Sequence, residues 1–403
     1  MDHLSAVLQG LFAIPVVAGS AFCLLAVGAA WVFSRRRPDR LADAECPPLS
    51  LLKPIFGLEK ELEENLRSCC EQDYPDYQVV MAVQRRNEPA LPLLRRLQDE
   101  YGSDRVTITI AAGQPTGNGR MHNLANGEKA ARHDLIVISD SDICLRPEYL
   151  RIMAAPLLDP EVGYVCSLYR GVRAEKWYER IEQLSLHLFT TQIVFALLTG
   201  ASDFCTGSSV ALRRRDLHRI GGFEDLAPYL VDDYEMGQRL QGLGLRLHLA
   251  PDFVDTVVGL DSVREWWTHQ IYWDQNTWAA RPLGFLATVL IQPIPFALAF
   301  AIARTFDAFG WAVLAGTIGV RLVSTGAVSL LLRDREATRN LAWLPLRDLT
   351  GLATWILTLV RRKVVWRGIA YDLGDDGLMT IRGQQDAEAA PNAAGPAISD
   401  LEP

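Results

Sequence analysis

Residues 8–33, "LQGLFAIPVVAGSAFCLLAVGAAWVF", carry no charged side chain. At ~1.5 Å rise per residue, a helix over this run is long enough to cross a hydrocarbon core of ~30 Å. The constraint is severe, because such a segment must close its backbone hydrogen bonds within itself and place its side chains in lipid or protein. Arg35, Arg36, Arg37 and Arg40 follow at once. A cleaved leader would carry its basic residues before the apolar run. The order here favours a transmembrane anchor over 1–34, with the chain after it on the cytoplasmic side.

The remaining apolar residues gather in two further places. Residues 283–332 are apolar, and Leu283–Ala303 and Trp311–Leu332 are each long enough to span, with a turn at "RTFDAFG" between them. Arg321 interrupts the second run and must face protein or a cavity. Leu349–Val360 is too short to span between Asp348 and Arg361, so a re-entrant or interfacial piece is expected within 333–383. Residues 384–403 read as a disordered tail.

Between the apolar regions, 49–282 reads as one soluble domain. Strands are expected at "LSLLKPIF", "YQVVMAV", "VTITIA" and Leu135–Ser139, with helices over Leu58–Cys70, Pro92–Tyr101 and Asn123–Arg132. Strands alternating with helices give an α/β, doubly wound, mostly parallel sheet, whose ligands bind at the carboxyl ends of the strands. A formal charge of −8 argues against nucleic acid as a partner. The seven cysteines form no CxxC pair and read as reduced thiols.

Two acidic motifs stand at such strand and helix ends. In "LIVISDSDICL", Asp140 and Asp142 close a buried strand. Residues i and i+2 of an extended segment share a side, so the two carboxylates repel unless a cation such as Mg²⁺ or Mn²⁺ joins them, as when it carries a diphosphate. The plainer alternative is an acidic loop or helix cap before "ICLRPEYL". In "YLVDDYEMG", Asp232 can cap the helix that follows, while Asp233 needs another reason, such as service as a general base. Small residues in "CTGSSVALRR" permit close ligand approach, and "REWWTHQIYWDQNTW" suits either an interfacial aromatic belt or a binding wall.

The order of these pieces resembles the ceramide glucosyltransferase family (glycosyltransferase family 21-like), including bacterial relatives that glycosylate hopanoids. The similar segments are "LLKPIFGLEKELEENLRSCCEQDYPDYQVV", "ARHDLIVISDSDICLRPEYL", "YLVDDYEMG" and "RRKVVWRG". The resemblance implies a GT-A fold and an inverting transfer from a UDP-sugar to a membrane lipid. Ceramide is the leading acceptor and a hopanoid the next. It also implies a multi-pass protein of a bacterial-type inner membrane. By motif position, Asp140 and Asp142 hold the metal and the donor diphosphate. Asp233 is the catalytic base, with Asp232 second.

Three positions depart from the family pattern. Asn87 and Glu88 in "AVQRRNEPA" stand where a nucleotide-contacting Asp is expected. Arg120 stands for a Lys. His269, Tyr272 and Trp273 in "HQIYW" stand for (Q/R)xxRW. These changes bear on the donor, with UDP-N-acetylglucosamine as the alternative to UDP-glucose. A processive polysaccharide synthase and a catalytically degenerate nucleotide-sugar binder are the other readings.

Overall fold

A computed structural model describes residues 2–111, 118–200, 206–360, 363–366, 369–373 and 378–381. The tail expected at 384–403 and the arginines of "RRKVVWRG" lie outside the described residues.

The chain opens with α1 (Asp2–Ser34), followed by β1 (Leu49–Ile55), α2 (Leu62–Cys70), β2 (Tyr77–Val83), α3 (Leu91–Tyr101), β3 (Val106–Ile110) and α4 (Gly119–Ala130). Next come β4 (Leu135–Ser139), β5 (Ile143–Cys144), α5 (Tyr149–Ala154), β6 (Val162–Val172), α6 (Trp177–Thr199), β7 (Ser209–Arg213) and α7 (Arg214–Arg219). Then follow α8 (Asp232–Gly242), β8 (Arg246–Val257), α9 (Val263–Ala280), α10 (Pro282–Thr288), α11 (Pro293–Ala303), α12 (Ala308–Leu331) and α13 (Arg335–Arg339). The series closes with α14 (Leu344–Val360), β9 (Lys363–Trp366), β10 (Ile369–Leu373) and β11 (Met379–Ile381), the last three forming a small antiparallel sheet.

The main sheet has the order β3-β2-β1-β4-β7-β6-β8-β5. Its first four strands are parallel, β7 runs against both its neighbours, and β6 and β8 are parallel to each other. This is the expected GT-A-like layout: mixed α/β, mostly parallel. β1, β2 and β4 are buried on both faces, in keeping with their mostly apolar residues, while the polar Ser50, Lys53 and Gln78 among them are hydrogen-bonded inside.

Helix boundaries differ from expectation for identifiable reasons. Gly57 and Glu61 take left-handed backbone conformations, which delays α2 from Leu58 to Leu62. The Asn118 side chain accepts the Arg120 N–H and starts α4 before Asn123. Leu283–Ala303 is a bent pair of helices, broken at Gln292 by 57°. Asp348 lies inside α14, because Arg321 neutralises it through two bonds of 2.9 and 3.0 Å. The helix therefore starts earlier than its charge pattern suggests, and Arg321 faces protein as expected.

Among the described residues, three helices are long and apolar enough to cross a membrane: Val7–Ser34, Trp177–Thr199 and Ala308–Leu331. α1, α11 and α12 pack around Val16, Ala297, Ala301 and Leu314, and leave Leu11, Ile14, Val17 and Val323 exposed. α6, not anticipated from the sequence, packs against β6, α1, α9 and α14, and so links the sheet to the apolar helices.

Candidate active site

The carboxyl ends of β1, β2 and β4, the entrance to β7 and the first turns of α4 and α8 surround one cavity of about 1360 Å³. Asp140, Asp142, Asp232, Asp233, Arg120, His269, Tyr272 and Trp273 all line it. Asn87 and Glu88 do not. Asn87 is exposed, and Glu88 is buried with Oε1 accepting the Gly57 N–H at 2.6 Å. From the same loop it is Gln84 and Arg85 that reach the cavity. The Gln84 Nε2 is buried without a partner, a polar group that a ligand could satisfy and that the sequence pattern did not single out.

The segment after β4 turns rather than staying extended, with the Ile143 N–H donating to the Asp140 carbonyl at 3.2 Å. Convergence of Asp140 and Asp142 comes from this turn. Lys53, fully buried on β1, holds it from beneath by donating to Ser139 Oγ at 3.1 Å and to the Ile143 carbonyl at 2.9 Å. Asn65 donates to the Ser141 carbonyl at 3.1 Å, and the Ser141 hydroxyl donates to Glu59. Burial, then the charges of Asp140 and Glu59, push the Asp142 carboxyl up to about 7.

Two carboxylates in one turn, with Asp142 raised by burial and then by the charges of Asp140 and Glu59, suit a divalent cation. Among the described residues no group of three or more His, Cys, Asp or Glu side chains forms a complete metal cage. Further oxygen ligands would therefore come from substrate, as is usual for Mg²⁺ on a phosphate.

Arg120 joins the two acidic motifs. Its Nε donates to Asp140 Oδ1 at 2.8 Å, its Nη1 to Asp232 Oδ2 at 2.6 Å and its Nη2 to the Gly207 carbonyl at 2.5 Å. Asn118 donates to Asp232 Oδ1 at 3.0 Å. Asp232 thus has both oxygens engaged by α4, and does not cap its own helix. Asp233 accepts the Tyr234 N–H at 2.8 Å and packs against Gly207. Burial and the neighbouring Asp232 charge push its carboxyl up to about 7, against the opposing pull of Arg120. A carboxylate so poised accepts a proton well near neutral pH.

The wall from α9 is anchored by a residue absent from the sequence reading, Glu182 of α6. It accepts from His269 Nδ1 at 2.9 Å and from Gln270 Nε2. Trp273 Nε1 donates to His269 Nε2 at 3.0 Å. Burial lowers the His269 pKa and Glu182 raises it, the latter prevailing. The added proton would have to sit on Nε2, where the indole N–H already points, so this contact holds the neutral tautomer. His269 therefore does not supply the positive charge missing at Tyr272. Tyr272 bonds Asn276 and faces the same acidic cluster.

The family model for glycosyl transferase family 21 matches residues 11–379. Ceramide glucosyltransferase 1 of Caenorhabditis elegans is 27% identical over 209 residues, covering 51% of this chain and 44% of that relative. An N-acetylglucosaminyltransferase of Rhizobium meliloti is 23% identical over 265 residues, covering 63% and 60%. Each match spans less than two thirds of the relative's length. A solved mannosyltransferase of Pyrobaculum calidifontis, in complex with GDP-Man and Mn²⁺, aligns over 86% of this chain and 99% of that one, with 20% identity and a TM-score of 0.49.

Proposed function

This chain belongs to glycosyl transferase family 21, and we propose that it moves a sugar, glucose foremost, from a UDP-sugar to a membrane lipid hydroxyl, ceramide foremost. The observation that carries this reading is the continuity of the cavity. It is lined both by Asp140, Asp142 and Asp233 and by Phe22, Phe195 and Phe285 of the apolar helices. A water-soluble donor and a lipid can meet in it.

In this reading Asp233 takes the proton of the lipid hydroxyl while the oxygen attacks the anomeric carbon. The bond from that carbon to the diphosphate breaks, UDP leaves with the electron pair, and the single displacement inverts the centre. Asp232, held by Arg120 and Asn118, fixes the first turn of α8 and leaves the proton transfer to Asp233. Asp140 and Asp142 would hold a divalent ion, which would offset the charge that grows on the departing UDP. The basic cluster after α1 supports a reading in which this chemistry takes place on the cytoplasmic face of the membrane.

A second donor, UDP-N-acetylglucosamine, is favoured by the match to the Rhizobium meliloti protein and by Tyr272 in place of a cation. The test is UDP release and lipid product from the purified full chain in detergent with Mn²⁺ or Mg²⁺. Each donor is supplied in turn, with ceramide or a hopanoid. Asp233→Asn should lose ~10²–10⁴-fold in turnover while still binding UDP, and EDTA should abolish transfer. Wild-type turnover by Asp233→Asn would remove Asp233 from the mechanism.

A further inference from the structure

α10 meets three different surroundings. At ~100° per residue, Leu283 and Leu286, with Leu290 just beyond the helix, share its outward side. All three are exposed, Leu283 by 81%. Phe285 points the other way and is fully buried. Its ring stacks on Trp355 of α14 at 5.7 Å and meets Trp278 of α9 edge-on at 5.5 Å, and Trp355 Nε1 donates to its carbonyl at 3.0 Å. Between these two sides lie Gly284 and Ala287, which are exposed and also line the cavity. α10 is thus a rim, where the cavity wall turns into an apolar outer surface.

The facing side is made by α1 and α6. Phe22 and Phe195 meet edge-on with ring centroids 5.1 Å apart, and both line the cavity. Leu24 and Leu25, next to Phe22 in the chain, are exposed. One turn before Phe22, α1 closes tightly on the chain after α10. A β-carbon at Gly19 would lie 2.6 Å from the Leu290 carbonyl oxygen and 2.8 Å from Pro293 Cβ. On the α10 side of that contact the rim carries only a hydrogen and a methyl group. A β-carbon at Gly284 would meet only the Arg281 side chain within 4 Å. Exposed apolar rows of this kind are unfavourable in water and suit hydrocarbon.

Resting on the reading that the cavity takes a membrane lipid as acceptor, we propose that the gap between α10 and the Phe22–Phe195 pair is a lateral opening to the bilayer, in which the hydrocarbon tail of that lipid lies over Gly284 and Ala287. The reacting hydroxyl then reaches the carboxylates while the tail stays in an apolar surrounding, so the lipid never has to cross water. The small side chains at positions 284 and 287 set the width of the opening.

The test uses the full chain in phosphatidylcholine nanodiscs, with a long-chain ceramide that carries a diazirine in its tail. Photolabelling is read by mass spectrometry at Phe195, inside the opening, and at Leu11, on the outer face of α1. The wild type should be labelled at both. Ala287→Trp fills the gap from an exposed position, so the fold should tolerate it. Labelling at Phe195 should fall about tenfold, the loss expected when about two methylenes can no longer be buried. Labelling at Leu11 and affinity for UDP should not change. Gly284→Leu narrows the same gap from the next turn, at a backbone outside the left-handed region, and should act alike. Leu283→Trp adds its bulk on the outward side and should change neither label. In turnover, Ala287→Trp should lower kcat/KM about tenfold for the long-chain ceramide, and within about twofold for a monomeric short-chain ceramide that enters from water. No label at Phe195 in the wild type, a label there kept by Ala287→Trp, an equal loss in Leu283→Trp, or equal losses for long and short chains would each overturn the opening. Labelling that falls in Ala287→Trp, without transfer from any donor, would uphold the opening and refute the transfer reading. Transfer with labelling undisturbed would do the reverse.

Discussion

Gly207→Ala moves the proposed base without touching any charge. A β-carbon at Gly207 would lie 2.8 Å from Asp233 Oδ2 and 3.0 Å from its Cβ. The Gly207 backbone is outside the left-handed region, so alanine brings bulk without backbone strain. Ordinary contact lies near ~3.5 Å, so Asp233 must withdraw by roughly half an ångström or more. A misplacement of ~1 Å at a reacting centre can cost about 10²-fold, and half of that suggests about tenfold in kcat. Crowding a packed site also costs ~1–3 kcal/mol of stability. The assay pairs steady-state UDP release with calorimetric binding of UDP and Mn²⁺. Turnover should fall about tenfold while UDP affinity stays within about twofold, because the proposed mechanism rests the diphosphate on Asp140 and Asp142. Gly242→Ala is the control: on the same helix as Asp233, its β-carbon would meet nothing within 4 Å. Unchanged turnover in Gly207→Ala, or a parallel loss of UDP affinity, would refute the placement of Asp233 as base.

Asp233 must be ionised to accept a proton, so kcat/KM should climb with pH and level off above about 7, the value to which burial and Asp232 push this carboxyl. The sign for stability is opposite. A carboxyl raised above its unfolded value of ~3.9 favours folding while protonated, and that contribution is lost as pH rises from there through about 7. Asp233→Asn should therefore melt higher than wild type at pH ~8, as thermal unfolding in detergent will read. Around Arg321 and Asp348 two guanidinium groups share one buried carboxylate. Asp348→Asn leaves the buried Arg321 without its carboxylate and should cost ~3–5 kcal/mol. Arg321→Met should cost less, since Arg347 can turn to Asp348, and equal losses in the two variants would refute that sharing.

The parts of this molecule that depend on local pattern were legible in its sequence. The aliphatic run Leu135–Ser139 is the observed strand, its two acids enter the cavity, and Asp232 and Asp233 open a helix facing them. What the pattern could not carry is set by partners distant in the chain. Asp348 looked like a helix boundary because its neutralising Arg321 lies in another helix. Glu182 sits in an apolar run whose polar role depends on His269 and Gln270 of α9. Asn87 and Glu88 occupy a nucleotide-binding position by motif, yet Glu88 is drawn inward by the bare N–H of Gly57, and the neighbouring Gln84 takes the cavity edge. Arg120 is the instructive case. Its substitution for lysine looked conservative in charge, but only a planar fork can reach Asp140, Asp232 and the Gly207 carbonyl together. The guanidinium thereby ties Asp140, at the end of its strand, to the first turn of the helix that carries Asp233. Arg120→Lys can hold one carboxylate well but not all three contacts, so coupling between the two ends should weaken even though the charge is kept.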